Sequence, residues 1–315
     1  MRETLRLATF NIENLEWARA HEDEFARRAA ALRPILDALA ADVLCLQEIG
    51  AQRTTAHAPR RFLALDRLLQ NSRYAEFHRA TSTRPGSDSP ADVHNLAILS
   101  RWPIAEHRQL HHDIVARWRW TPPPEQQSEE VQAIDIVFDR PALYARIDLH
   151  DAPLHVLNLH LRAPRPVPLG HHPALGRAVA EGQFLAAQKR EGQALEARLF
   201  VESLFDLEPE AHIAVCGDFN ADAYEPPSRI LRGEDGADDR RLEALEERVA
   251  SERRYSVIHA GRPVQIDHIL ASRALAATCE DVAILNRDLQ DEVFAPEPVE
   301  GSLHAPLVAT FRKPA

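Results

Sequence analysis

Several apolar segments of this chain end in a polar residue that a buried strand would not choose. Asn11 follows LATF, Glu48 follows VLCLQ, Asn158 and His160 follow HVL, Asp218 and Asn220 follow IAVCG, Asp267 follows QI, and His304 precedes APLVATF. Carboxylates, carboxamides and imidazoles are groups that move protons and hold polar ligands. In open α/β architectures ligands bind at strand ends, so these side chains are expected to converge on one pocket. Each alone has an ordinary reading: Asn11 or Asn158 capping a turn, Asp218 closing a loop, a single His held by hydrogen bonds. Six such endings in one chain point to a site.

The elements that must position these residues alternate along the sequence. Residues 5–12 read as a first buried strand. Residues 23–40 follow helical spacing, with Phe25, Ala29, Leu32, Ile35, Leu36 and Leu39 on one face, and VLCLQE then reads as a second strand. Further strands are expected at 96–100, 144–149, 154–160, 213–217, 266–271 and 307–311, with a long helix at about 181–206. Turn-rich connections cover 79–93, 111–133, 162–177 and 286–301. None separates segments of different character, so a single domain spanning 1–315 is expected. Residues 234–247 carry seven acids against Arg240 and Arg241 and read as a solvated helix or loop.

At 315 residues, with 45% apolar and 27% charged side chains, one globule can bury about 75% of its unfolded surface and needs no staples. This excludes a disordered tail or a disulfide-dense miniprotein. Cys45, Cys216 and Cys279 are odd in number and far apart, and the first two lie in apolar runs as small buried hydrophobes. No run of about 18 apolar residues occurs, and Arg2, Glu3 and Arg6 stand where a secretory signal has its apolar core. The expectation is a soluble, cytoplasmic protein without stable membrane association. The net charge of −11 argues against tight coating of nucleic acid, though not against brief contact with a phosphate.

The motifs TFNIENL, LQE, NLAILSR, NLHL, GDFNAD, QIDHIL and SLHAPL follow one another between residues 9 and 307. In that order the chain resembles the endonuclease/exonuclease/phosphatase superfamily, the deoxyribonuclease I-like fold. The resemblance implies an α/β four-layer sandwich, two packed mixed β-sheets flanked by helices. It also implies a metal site at Glu48, with Asn11 beside it and Glu13 at a position often acidic in relatives. These are oxygen donors, which suit Mg²⁺, or Mn²⁺ in its place, rather than zinc. By the same resemblance Asp218 and Asn220 orient the attacking water and hold a phosphate oxygen, His160 bonds the scissile phosphate, and Asp267 with His304 forms a carboxylate–histidine dyad. Either His304 or Asp218 can serve as the base. Asn95 of NLAILSR and Asn158 of NLHL are carried over as substrate contacts, and Arg162 and Arg165 follow His160 in an acid-free stretch, 161–180, that can form a positive rim.

One motif departs from the family. Relatives read Ser-Asp-His where this chain reads Ser302-Leu303-His304, which removes a ligand oxygen and a negative charge. Glu13 is the expected substitute, with Asp222 and Glu225 behind it. Arg117-Trp118-Arg119-Trp120, if extended, sets both Trp on one face, as a stacking platform, a lipid anchor or core. The expected function is a metal-dependent phosphodiesterase, first of all a nuclease touching nucleic acid transiently. The rivals are a phosphomonoesterase or lipid phosphodiesterase of the same fold, and a noncatalytic scaffold with a degraded metal site.

Overall fold

Apolar strands and one-faced helices can bury themselves only in layers. The computed structural model describes residues 4–55, 57–121, 133–149, 152–169, 176–234, 236, 238–295 and 299–312. In chain order the elements are β1 (Thr4–Leu15), α1 (Glu22–Leu39), β2 (Val43–Ile49), α2 (Leu63–Leu69), β3 (His78–Thr81), β4 (Asn95–Ser100), β5 (Ile104–Leu110), β6 (Trp118–Trp120), β7 (Ile134–Ile136), β8 (Ala142–Asp148) and β9 (Pro153–His160). After these come α3 (Gly176–Leu207), β10 (His212–Asp218), α4 (Pro226–Arg232), β11 (Leu242–Ala244), β12 (Val257–His259), β13 (Arg262–Val264), β14 (Asp267–Ser272), α5 (Arg273–Ala276), β15 (Cys279–Ile284) and β16 (Leu307–Arg312).

One six-stranded sheet has the order β15-β16-β1-β2-β4-β3 and the other β11-β14-β10-β9-β8-β5. Both are mixed: β1 runs parallel to β2 and antiparallel to β16, and β10 runs parallel to β9 and antiparallel to β14. Alternate side chains face opposite ways along each strand, so each sheet has two apolar faces to cover. Leu5, Leu7, Val43 and Ile98 of the first sheet meet Leu143, Val156, Ala214 and Ile269 of the second. Outside, Phe10, Leu44 and Leu99 lie under Phe25, Leu32 and Leu36 of α1, and Tyr144, Leu157 and Val215 lie under Phe200, Val201 and Phe205 of α3. The layers are helix, sheet, sheet, helix, as expected.

The central strands and the two long helices fall where the apolar patterns place them. Within the two six-stranded sheets the four strands not foreseen, β3, β5, β11 and β15, are the four sheet edges; the two-stranded pairs β6–β7 and β12–β13 are not among the expected strands either. Edge strands carry charge toward water and lose the apolar alternation that marks a central strand; β5 reads IAEHRQL and β15 reads CEDVAI. For the same reason the acidic stretch 234–247 is not simply a solvated helix or loop: it holds β11, with Leu242 and Ala244 buried. Arg117–Trp120 includes a short extended strand, but Trp118 and Trp120 pack against Ile136, Leu169 and Leu185, and that makes them core. Most of TPPPEQQSEE, and His171 and His172 of the basic stretch, lie outside the described residues.

A polar clip crosses the apolar seam between the sheets. Gln47 Nε2 donates to Thr9 Oγ1 (3.0 Å) and to Asn158 Oδ1 (2.7 Å), and Asn158 Nδ2 donates to the carbonyls of Leu46 and Ala97 (3.0 Å each). Cys45 and Cys216 share this seam as free thiols; burial pushes the Cys45 thiol up, and facing Cys216 adds to the rise.

Candidate active site

Strand register builds the pocket. Asp218, the last residue of β10, stands opposite Asp267 on β14 and opposite His160 on β9. Three functional side chains thus share one end of three adjacent strands. Gly217 makes this approach possible: its φ is +134°, and a Cβ there would lie 1.9 Å from the Leu159 carbonyl oxygen. In the first sheet, Asn11 and Glu48 sit at the same end, where the β1–β2 register shifts between Asn11 and Leu15.

The backbone around the pocket is strained. Of nine non-glycine residues with positive φ among those described, five belong to it: Glu13, Asn14, Glu48, His94 and Asn220. The strain is held by hydrogen bonds. Asn14 N–H donates to Glu48 Oε2 (3.0 Å), Glu13 N–H to Asn11 Oδ1 (2.9 Å) and Asn220 N–H to Asp218 Oδ1 (2.8 Å).

Across the pocket the sheets meet through polar groups. Asn11 Nδ2 lies 3.0 Å from Asp218 Oδ2 and 3.5 Å from Glu48 Oε1, and His160 Nε2 lies 3.4 Å and 3.6 Å from the same two oxygens. Asp267 Oδ2 is 2.8 Å from His304 Nδ1, leaving His304 Nε2 for the pocket. Ser302 ties this loop to β1, donating to the Asn11 carbonyl (2.7 Å) and accepting from His304 N–H (3.0 Å).

Burial and charge split the titrations. Burial raises Asp218, and neighbouring Asp267 adds to the rise, to about 7. Burial alone would lower His304, but Asp267 outweighs it and carries the imidazole up to about 10. His160 falls well below its ordinary range through burial, helped by the charges of Arg140, His94 and His304.

Asn11, Glu48, His160, Asp218, Asn220, Asp267 and His304 therefore come together as the sequence leads one to expect. The other candidates are held differently, and of these only Glu13 stays at the pocket. Asn158 is fully buried in the clip, with no surface for a substrate. Asn95 is also enclosed: its Nδ2 donates to the carbonyls of Ile49 and Ala91, and its Oδ1 accepts from Ala91 N–H. Arg162 is tied to Asp139 (3.2 Å) and Arg165 is exposed on the outer loop, so the rim is partly neutralised. Glu13 turns toward the altered motif, its Oε2 accepting from Leu303 N–H at 2.5 Å. Asp222 and Glu225 close their own loop, Glu225 Oε2 accepting from Asp222 N–H (2.9 Å).

Two residues were missed. His94, at φ +57°, places Nδ1 3.8 Å from Glu48 Oε2 and its ring edge-on to His160, with centroids 6.3 Å apart. Arg140 precedes β8 and donates from Nη1 to the Leu161 carbonyl (3.2 Å) and that of His160 (3.5 Å). Nothing beyond a polar residue at a strand start marks either one in the sequence.

The donor set suits a hard divalent cation. Glu48, Asp218, Asp267 and Glu13 offer carboxylate oxygens, and Asp267 Oδ1 is buried without a partner. One ligand atom each from Asp218, Asp267 and His304 lie within 4.8 Å of one another. Glu48 faces that group across Asn11 and His160.

With this geometry in view, the chain belongs to the Endonuclease/Exonuclease/phosphatase family, whose sequence profile matches residues 8–288. It is a hydrolase family acting on phosphate esters. Similar solved structures include truncated TDP2 of Caenorhabditis elegans, at 16% identity over 98% of each chain with a TM-score of 0.57. An AP endonuclease from Archaeoglobus fulgidus aligns at 18% identity over 98% of this chain and 99% of its own, TM-score 0.55. The 3′ phosphatase NExo from Neisseria, bound to a product DNA hairpin, aligns at 18% over 98% and 99%, TM-score 0.52. At such identities the likeness establishes the fold alone. No curated protein sequence matches the chain. No helix among the described residues is long and apolar enough to cross a membrane.

Proposed function

We propose that the protein is a metal-dependent phosphodiesterase that cleaves nucleic acid by in-line attack of water. The observation that carries this reading is the convergence, from both sheets, of Glu48 and Asn11 with His160, Asp218 and the Asp267–His304 pair. That Asp218 titrates near neutrality makes it the base of choice, since a base works best with a pKa close to the working pH. His304, kept as imidazolium by Asp267, donates from Nε2 to the phosphate or the departing oxygen. His160 Nε2 and Asn220 hold the phosphate on the opposite side, replacing the water it loses. Glu48, with Asn11 and Glu13 alongside, is the place for Mg²⁺, with Mn²⁺ as substitute; the cation supplies charge that offsets negative charge developing on the phosphate oxygens. The nucleic-acid substrate finds support in the DNA-bound Neisseria neighbour and in the AP endonuclease.

The test is a panel with and without Mg²⁺ or Mn²⁺: plasmid DNA, single-stranded RNA, bis(p-nitrophenyl) phosphate, p-nitrophenyl phosphate and a choline phospholipid. Metal-dependent cleavage of a nucleic acid, lost in His304→Ala, is the expected result. Turnover confined to the monoester or the lipid defeats the nuclease reading. No turnover at all favours the scaffold that Leu303 suggests.

A further inference from the structure

The oxygens around Glu48 are largely engaged by the protein itself. Asn11 turns its Nδ2 toward Glu48 Oε1 (3.5 Å), while its Oδ1 accepts from Glu13 N–H (2.9 Å). Glu13 Oε2 accepts from Leu303 N–H (2.5 Å), and the Leu303 side chain brings no donor atom. A cation at Glu48 therefore finds fewer free oxygens than the motifs suggest. A nitrogen stands beside them instead. His94 Nδ1 lies 3.8 Å from Glu48 Oε2, too far for a hydrogen bond, and this buried atom has no hydrogen-bond partner among the described residues. The side chain as a whole is 36% exposed, which leaves it open to an ion from solution.

A buried ring nitrogen left unsatisfied is costly, and the cost is recovered when a ligand reaches it. The backbone is bent to put it there: His94 has φ +57°, a left-handed conformation that persists in a side chain of this size only where the surroundings hold it. They do hold it. Asn95, the next residue, is locked by its bonds to the Ile49 and Ala91 carbonyls, and the His94 ring stands edge-on to His160 with centroids 6.3 Å apart. Imidazole nitrogen is a donor that transition-metal ions accept far more readily than Mg²⁺, which keeps to oxygen. We propose that His94 Nδ1 is a metal ligand beside Glu48, and that this nitrogen tilts the site from Mg²⁺ toward a transition-metal dication. The proposal rests on the metal-dependent reading of the same pocket and adds a donor of a different kind.

Mn²⁺ is the probe. Electron spin-echo modulation of the bound ion reports coordinated nitrogen-14, and calorimetry gives the Mn²⁺ and Mg²⁺ affinities, for wild type, His94→Asn and His94→Gly. Both replacements tolerate positive φ, so the backbone is kept, and melting temperature checks that each variant is folded. Nitrogen modulation is expected in wild type and should drop or vanish in the variants. Affinity for Mn²⁺ should fall about tenfold or more while that for Mg²⁺ changes by less than about threefold. A residue that merely props Glu48 would weaken both ions alike and leave the modulation in place, which overturns the proposal. Modulation unchanged in the variants belongs to His160 and overturns it too, as does its absence in wild type or a wild type that binds no Mn²⁺. Should the Gly variant not fold, the Asn variant decides. A nitrogen signal that depends on His94, without turnover of any ester, upholds the ligand and sinks only the hydrolase reading; Mn²⁺-dependent turnover without that signal does the reverse.

Discussion

Asp267 sets two titrations at once. It raises His304 to about 10 against the effect of burial, and it adds to burial in raising Asp218 to about 7. With Asp218 as base and His304 as acid, kcat/KM should climb as pH rises through about 7 and fall as it rises through about 10. Asp267→Asn removes a raising influence from both groups, so both limbs should move to lower pH; an alkaline limb that stays in place would contradict the assigned cause. The stability sign follows from the same shifts. Both folded values lie above the ordinary 6.5 of His and 3.8 of Asp, so the folded state holds these protons more tightly. The dyad's contribution is complete below about 6.5 and disappears as pH rises through about 10, while the cost of ionising buried Asp218 grows from about 3.8 to about 7. Leu303 offers a second test at this scale. Leu303→Asp places a carboxylate near Glu13, so metal-free protein should melt lower and gain more from added Mg²⁺, and half-maximal activity should need less Mg²⁺. Melting curves that respond to Mg²⁺ as wild type does would show that position 303 does not face the cation.

At the scale of elements, the pocket depends on how closely β10 lies against β9. Gly217→Ala drives a methyl group into the Leu159 carbonyl and should cost about 3 kcal/mol or more, together with the Asp218–His160 register. Gly86 also has positive φ, +65°, but nothing lies within 4 Å of its added Cβ, so Gly86→Ala should cost only about 1 kcal/mol of backbone strain. Urea denaturation of the two variants compares them directly, and equal losses would remove the steric explanation. The same packing explains why the central strands were legible and the edges were not. A strand buried on both faces must be apolar along its length, whereas β3, β5, β11 and β15 each leave one side to water. Asn158 and Asn95 sit in motifs that suggest substrate contact, yet their amides close buried backbone groups that would otherwise go unpaired.

For the molecule as a whole, a net charge of −11 sets the character of its encounter with a polyanion. Arg162 is offset by Asp139, which neutralises one cation of the expected positive rim. The KM for a nucleic-acid substrate should therefore depend weakly on salt, with a log–log slope of about 1 to 2 rather than the steep dependence of proteins that neutralise about six or more phosphates. Initial rates between about 50 and 200 mM salt measure the slope, and a steep one would contradict the expectation drawn from the net charge.

The sequence by itself determined the central strands, the two long helices and the set of carboxylates, carboxamides and imidazoles at strand ends, because burial and local order write those features into consecutive residues. Only the tertiary structure decided which polar side chains reach the pocket: that Asn158 clips the sheets, that Glu13 turns to Leu303, and that Arg140 and His94 stand beside His160. Those outcomes depend on register between strands far apart in the chain, and a register is a property of pairs that no single segment carries.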